Sequence, residues 1–268
     1  MIYRMGKRKY VDYFGEALTV VDSETQTAII TSTSEERLFE LAFLTIHSRA
    51  GELLDLAGIG RIHALAVSYK GVNAVVMLPS KGGKSTLLTY LLENPDIKII
   101  ADDMPLVNRT GQILPFPTKI SMTEKPESGV LAGLNWNEFL RAHYPPKWTA
   151  SLSSLSERIE RTPEKNPTLL IQGVRLSHGE SLITPSSKSQ MIMPLLEHMI
   201  VGRGLPQVIE IFLEMKFTDI IKMAKHAILR TWCAMMLLKR SQTFTFYIGH
   251  DKSYNSQLLL NLLSEHEG

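Results

Sequence analysis

The chain has 268 residues, room for one large domain or two modest ones. Hydrophobic residues at 44% and charged residues at 21% exclude a disordered or low-complexity chain. Lys and Arg number 29 against 27 Asp and Glu, and a formal charge of +2 excludes recognition of nucleic acid or an anionic membrane by bulk charge.

The single cysteine, Cys233, rules out an intramolecular disulfide and a multi-cysteine zinc site, and it suits a reducing compartment. The N-terminus starts basic but holds no apolar run ending at a small-residue cleavage site. No later stretch approaches the ~18 uncharged apolar residues of a membrane span. The expectation is a cytoplasmic protein with no nucleic-acid or membrane partner.

In chain order, the short β-branched runs between Tyr10 and Thr33, broken by Gly15 and by Asp22 to Thr25, predict a β-rich start. From Ser34 to Ala57 the leucines and phenylalanines recur three to four apart behind a serine, which predicts helix ended by Gly58 and Gly60. IHALAVSY and VNAVVML, joined at Lys70-Gly71, predict a hairpin with His63 in its first strand. Ser80 to Thr86 is a glycine-rich loop, LLTYLLENP a helix stopped by Pro95, and IKIIA a buried strand that ends at Asp102-Asp103.

The stretch from Pro115 to Pro185 is rich in Pro, Ser and Thr and predicts irregular structure with mobile loops. After Lys188 the spacing is helical through PLLEHMIVGRG, LPQVIEIFLEM and FTDIIKMAKHAILRTWCAMMLLKR, followed by a strand at TFTFYIG and a last helix at SYNSQLLLNLLSE. The fold class is α/β, read as one domain. A β-rich and helical segment fills 1–61, a nucleotide-binding core with Pro/Ser-rich loops 62–185, and a mainly helical part 186–268.

A phosphate-binding loop needs small residues that let backbone N–H groups point inward, a lysine for the terminal phosphates, a hydroxyl for Mg²⁺, and a helix N-terminus facing the anion. Ser80, Lys81, Gly82, Gly83, Lys84, Ser85 and Thr86 supply these, with Leu78 where the usual pattern has its first glycine. Leu78 must then tolerate a turn normally given to glycine, or the loop entry differs in shape. Asp102 and Asp103 stand where open α/β sheets place ligand chemistry, at a strand's C-terminal end. One carboxylate can hold Mg²⁺ and the other accept a proton, but neighbouring strand residues point to opposite faces, so both serve one site only if the chain bends there. Lys119, Arg175 and Arg203 are candidates for a further cation of phosphoryl transfer. The remaining histidines have no metal-ligand spacing.

The run IHALAVSYKGVNAVVMLPSKGGKSTLL followed by IIADD resembles the catalytic domain of HPr kinase/phosphorylase and its relatives. The resemblance implies a P-loop kinase core of the type shared with PEP carboxykinases, using ATP and Mg²⁺ to phosphorylate a serine hydroxyl. It implies Asp102 as the base, Asp103 and Ser85 at the metal, Lys84 on the phosphates, and His63 beside Asp102 or the transferred phosphoryl group. The regulator's downstream Glu-x-Arg-Gly signature and its separate N-terminal domain are missing, so HPr is not the expected substrate. The start Val11-Asp12-Tyr13-Phe14-Gly15 and the Gly-x-Gly-Leu-Pro run of Gly202 to Pro206 are similar to the stand-alone kinases of lasso-peptide clusters. That branch implies a precursor peptide with a C-terminal acceptor serine as partner. Free serine as acceptor, or an ATPase or nucleotide-dependent binding module, remain open alternatives, as does oligomerisation.

Overall fold

A computed structural model describes residues 1–22, 24–79, 82–141, 145–202, 205 and 217–267. Four strands, β1 (Ile2–Met5), β2 (Arg8–Asp12), β3 (Ala17–Asp22) and β4 (Thr27–Ser32), pair in sequence order as an antiparallel sheet. Helix α1 (Glu35–Leu56) then begins at Ser34, whose side chain accepts from the Arg37 N–H, with Glu35 and Glu36 complementing the first turn. Gly58, at φ +75°, turns the chain out of it, into β5 (Gly60–Arg61), which forms a small sheet with β9 (Leu106–Val107) and β10 (Ile113–Leu114) in the order β10-β9-β5.

The core is a six-stranded sheet built from β6 (Leu65–Tyr69), β7 (Val72–Met77), β8 (Ile97–Ala101), β14 (Thr168–Arg175), β15 (Leu182–Pro185) and β16 (Gln242–Ile248), in the order β15-β16-β14-β7-β6-β8. Strands β7, β14 and β16 are parallel. β6 runs antiparallel to both β7 and β8, so β8 points the same way as β7. The C-terminal ends of β7 and β8 and the beginning of β6 therefore lie along one edge of the sheet. The chain is thus a mixed α/β protein.

Both faces of that sheet are covered, which is why its strands read as continuous apolar runs. One face, with Leu65, Val67, Val76, Ile99 and Leu169, packs on α2 (Lys84–Leu91) and on the C-terminal helix Lys252–Glu265. The other, with Ala66, Val75, Met77, Ile100 and Leu170, packs on Met191, Leu195, Met199, Cys233 and Leu237. These belong to the helical stretch Lys188–Ile200 and to the long helix Phe217–Arg240. The helical expectation for LPQVIEIFLEM falls almost entirely outside the described residues, as do Arg203 and Gly204.

The middle of the chain differs from the irregular region its composition predicts. Strands β11 (Lys119–Met122), β12 (Trp136–Phe139) and β13 (Lys147–Ser151) form a separate antiparallel sheet in the order β11-β13-β12. Ile120, Leu131, Trp136, Ala150 and Leu152 carry it onto the α2 side of the core. Arg158 fastens the following segment by donating to the backbone carbonyls of Leu92, Asn94 and Ile97. Strand β14, from this same region, is flanked on both sides in the central sheet. Tertiary burial of a few apolar residues has overridden a turn-rich composition.

Candidate functional site

The site is built where β7 and β8 end and β6 begins. Strand β7 delivers the loop, whose Gly82 N–H donates to Pro79 O at 2.9 Å, closing a turn. A side chain at Gly82 would place its Cβ 2.8 Å from that same carbonyl. Gly83, at φ +95°, is the residue before α2 and takes the left-handed conformation that a side chain disfavours. Lys84, Ser85 and Thr86 make the first turn of α2, with its N–H groups and positive end toward the loop. Ser80 and Lys81 lie outside the described residues.

Leu78 keeps negative φ, so no left-handed turn is forced on it. It is fully buried, and its space comes from the neighbouring strand, where a Cβ on Gly173 would stand 2.3 Å from the Leu78 side chain. The loop entry is therefore shaped by a glycine on β14 in place of one within the loop.

His63 lies just before β6, between it and the two-residue strand β5 (Gly60–Arg61), and not within the hairpin strand. Because β6 is antiparallel, this position falls between the ends of β7 and β8. Its Nε2 is 2.8 Å from Lys84 Nζ and 3.0 Å from Asp103 Oδ1. Lys84 also donates to Leu78 O at 3.1 Å and lies 3.7 Å from Asp103. Burial, the largest influence, lowers the Lys84 pKa, and the two aspartates oppose it. Lys84 is 8% exposed.

The chain bends at Asp102 and Asp103, so both carboxylates face the loop residues although they are neighbours. Asp102 is 4% exposed; Ser85 Oγ lies 3.2 Å from each of its oxygens, and the Ser121 N–H of β11 donates to it at 3.4 Å. Burial and the adjacent Asp103 raise its pKa to about 7, and the bonds from Ser121 and Ser85 only partly offset them. Asp103 has a 60% exposed side chain. The protein atoms crowded about its carboxyl favour the neutral form, but His63 and then Lys84 outweigh them and lower its pKa.

These pairings differ from those the resemblance implies. Ser85 meets Asp102, not Asp103, and His63 meets Asp103, not Asp102. Beyond the end of β8, Asp102 turns toward α2 and β11 and Asp103 toward the start of β6.

Sequence reasoning missed His198, which sits in a single wide turn, Leu196–Ile200. Its carbonyl accepts the His63 N–H at 2.9 Å and its ring is 5.7 Å from that of His63. Burial, then the positive potential of His63 and Lys84, pushes its pKa down to about 4. Nothing in the PLLEHMI run marks it, because the contact depends on how that turn packs under β6. Of the three candidate cations, Lys119 lies near the carboxylates, Arg175 is exposed at the end of β14 with no ion pair to them, and Arg203 is not described.

Among the described residues no three His, Cys, Asp or Glu side chains gather as a metal site. The hydroxyl of Ser85 and the carboxylate of Asp102 do converge as hard oxygen donors, the kind that hold Mg²⁺ jointly with a nucleotide's phosphates. No helix of the described residues is long and apolar enough to cross a membrane. No family model matches this sequence, and no characterised protein matches it either.

Proposed function

We propose that the protein is an ATP- and Mg²⁺-dependent kinase that phosphorylates a serine hydroxyl, most simply the C-terminal serine of a lasso-peptide precursor. The reading is supported above all by one arrangement: Lys84 and Ser85, the first residues of α2, contact Asp103 and Asp102 respectively at the end of β8, with His63 between lysine and carboxylate. A strand, a glycine turn, a helix N-terminus and a carboxylate pair in that order support the reading as a P-loop kinase core of the HPr kinase and PEP carboxykinase type.

In this reading the backbone of the Ser80–Thr86 loop cradles the phosphates, and Lys84 leaves His63 and the Leu78 carbonyl to neutralise them. Ser85 and Asp102 would hold Mg²⁺, whose chemistry is to neutralise charge on the β- and γ-phosphates. Asp102 suits that place: an almost wholly buried carboxyl with a raised pKa is one whose counter-charge comes with the ligand. Asp103, ionised and open to solvent, orients the acceptor hydroxyl. The serine oxygen bonds to the γ-phosphorus, the bond from that phosphorus to the β-bridging oxygen breaks with its electron pair leaving on ADP, and the hydroxyl proton passes to Asp103. His63 positions that carboxylate. This exchanges the aspartates' roles relative to the resemblance.

Intact-mass spectrometry after incubation with ATP and Mg²⁺ tests the reading on a precursor peptide ending in serine, the same peptide ending in alanine, and free serine. A gain of one phosphate on the serine-ending peptide alone is expected. Gain on free serine alone transfers the assignment to small-molecule metabolism, and no gain on any acceptor overturns the kinase in favour of an ATPase or binding module.

A further inference from the structure

The cations around the carboxylate pair outnumber what a nucleotide loop requires. Besides Lys84, three belong to the β11-β13-β12 sheet or its edge: Lys119 on β11, Lys147 on β13, and Arg141 just beyond β12. Lys119 feels both Asp103 and Asp102 and is opposed by Lys147 and Arg141; Lys147 in turn acts on Asp103 and Lys84. Lys84, Lys119 and Lys147 thus share one field with the two carboxylates, a setting that favours a bound anion.

Lys119 is also fixed in place. Its ammonium lies 3.9 Å from the ring centre of Phe43 on α1 and 5.2 Å from that of Phe139 on β12. A solvated surface lysine has no use for two aromatic walls. Among the described residues neither Lys119 nor Lys147 has a carboxylate within ion-pair distance.

Their side of the site is the acceptor's. Asp102 is gripped by Ser85 from the nucleotide loop and by the Ser121 N–H from β11, so the loop and this sheet flank it from different directions. In-line transfer requires the incoming oxygen opposite the departing ADP, and ADP belongs to the loop. Lys119, two residues before Ser121, shares its strand face.

We propose that Lys119 and Lys147 are specificity-determining residues, which bind the carboxylate that the acceptor carries next to its hydroxyl-bearing carbon and so select a serine with a free α-carboxyl. The inference rests on the kinase reading above and narrows it. An internal serine lacks this anion, whereas a peptide's C-terminal serine and free serine both have it.

The test measures kcat/KM of the full-length protein with ATP and Mg²⁺ on a peptide ending in serine as the free acid, its C-terminal amide, the same peptide extended by two alanines, and free serine. The acid is expected to exceed the amide and the extended peptide at least tenfold; transfer to free serine as fast as to the acid would assign the carboxylate to a small molecule. Lys119→Gln and Lys147→Gln, which remove the charge but keep a polar side chain, should each bring the acid toward the amide value with the KM for ATP unchanged, and Lys147→Arg, which keeps the charge, should retain the preference. Equal rates on acid and amide, or an acid preference kept in both glutamine variants, overturn the proposal while leaving the kinase standing. A raised KM for ATP with the preference intact assigns the lysines to the nucleotide and also overturns it. Transfer to no acceptor is a different failure, that of the kinase reading itself.

Discussion

Leu78 occupies the position of a loop glycine because Gly173, on the adjacent strand, has no side chain: a Cβ there would stand 2.3 Å from the leucine's Cδ2. The loop's shape thus depends on a residue 95 positions downstream, in a region whose composition reads as turns. Gly173→Ala should lower stability by about 1–3 kcal/mol through overpacking, seen as a lower urea midpoint with unchanged slope. Adding Leu78→Ala should recover part of that loss; an alanine at 173 with wild-type stability would mean that the strands separate freely there.

Lys84 stands between His63 and the Leu78 carbonyl, desolvated and 8% exposed. Lys84→Ala should abolish phosphoryl transfer and weaken ATP binding, while circular dichroism reports an intact fold. Turnover at the wild-type rate in this variant would remove the loop from the mechanism.

The two aspartates should separate cleanly. Asp102→Asn keeps an acceptor for the Ser85 hydroxyl but removes the charge facing a cation, so the Mg²⁺ concentration for half-maximal activity should rise at least tenfold. Asp103→Asn should leave nucleotide and Mg²⁺ binding in place and cut kcat by about 10²–10⁴-fold, the usual contribution of a positioned general base. The opposite pattern, with Mg²⁺ dependence following Asp103, would restore the roles implied by the family resemblance. Titration calorimetry and steady-state kinetics on both variants decide it.

The pKa of Asp102 fixes the sign of a pH effect. Its carboxyl holds a proton up to about pH 7 in the folded protein but only to about 3.9 in the unfolded chain. Between these values the folded state binds more protons, so stability falls as pH rises from about 4 to 7, by a few kcal/mol at order of magnitude. Asp103 acts oppositely, since its lowered pKa adds stability that is lost on acidification below about 4. Asp102→Asn should flatten the profile from pH 4 to 7 and raise stability at pH 8. Nucleotide with Mg²⁺ should raise the melting temperature more at pH 8 than at pH 6, because the proton must leave before a cation can enter; an equal rise at both would contradict the metal role.

Elements whose signal is local were legible in the sequence. The hairpin, the glycine loop, α1 and the last helix follow from spacing and punctuation over ten to twenty residues. The Pro/Ser-rich middle departs from its composition because its folding is non-local: β11 to β13 depend on Ile120, Trp136 and Ala150 reaching a core made by other segments, and β14 is a strand by virtue of the neighbours that flank it. In the site, residue types at the ends of β7 and β8 could be read directly, but the pairing across the Asp102-Asp103 bend, the approach of His198 and the clamped Lys119 could not. Each of those is set by how separate elements stack.

A buried cluster of charged side chains lies behind His63. Two residues before it, Arg61 is 2% exposed, and burial lowers its pKa to about 10. Gly51 of α1 leaves it room, since a Cβ there would meet its guanidinium. Asp55 of α1, 1% exposed, accepts from Arg230 Nε at 2.9 Å and is the carboxylate whose field also favours the charged form of Arg61. Asp55→Asn would leave two buried guanidiniums opposed, and breaking a buried pair in this way costs about 3–5 kcal/mol. The surface pair Lys7–Glu24, more than 60% exposed on both sides, should cost under about 1 kcal/mol when Glu24→Gln removes it. Denaturation of the two variants side by side should therefore separate them by several kcal/mol. A near-equal loss would mean that Asp55 is not what holds α1 and the Phe217–Arg240 helix behind the site.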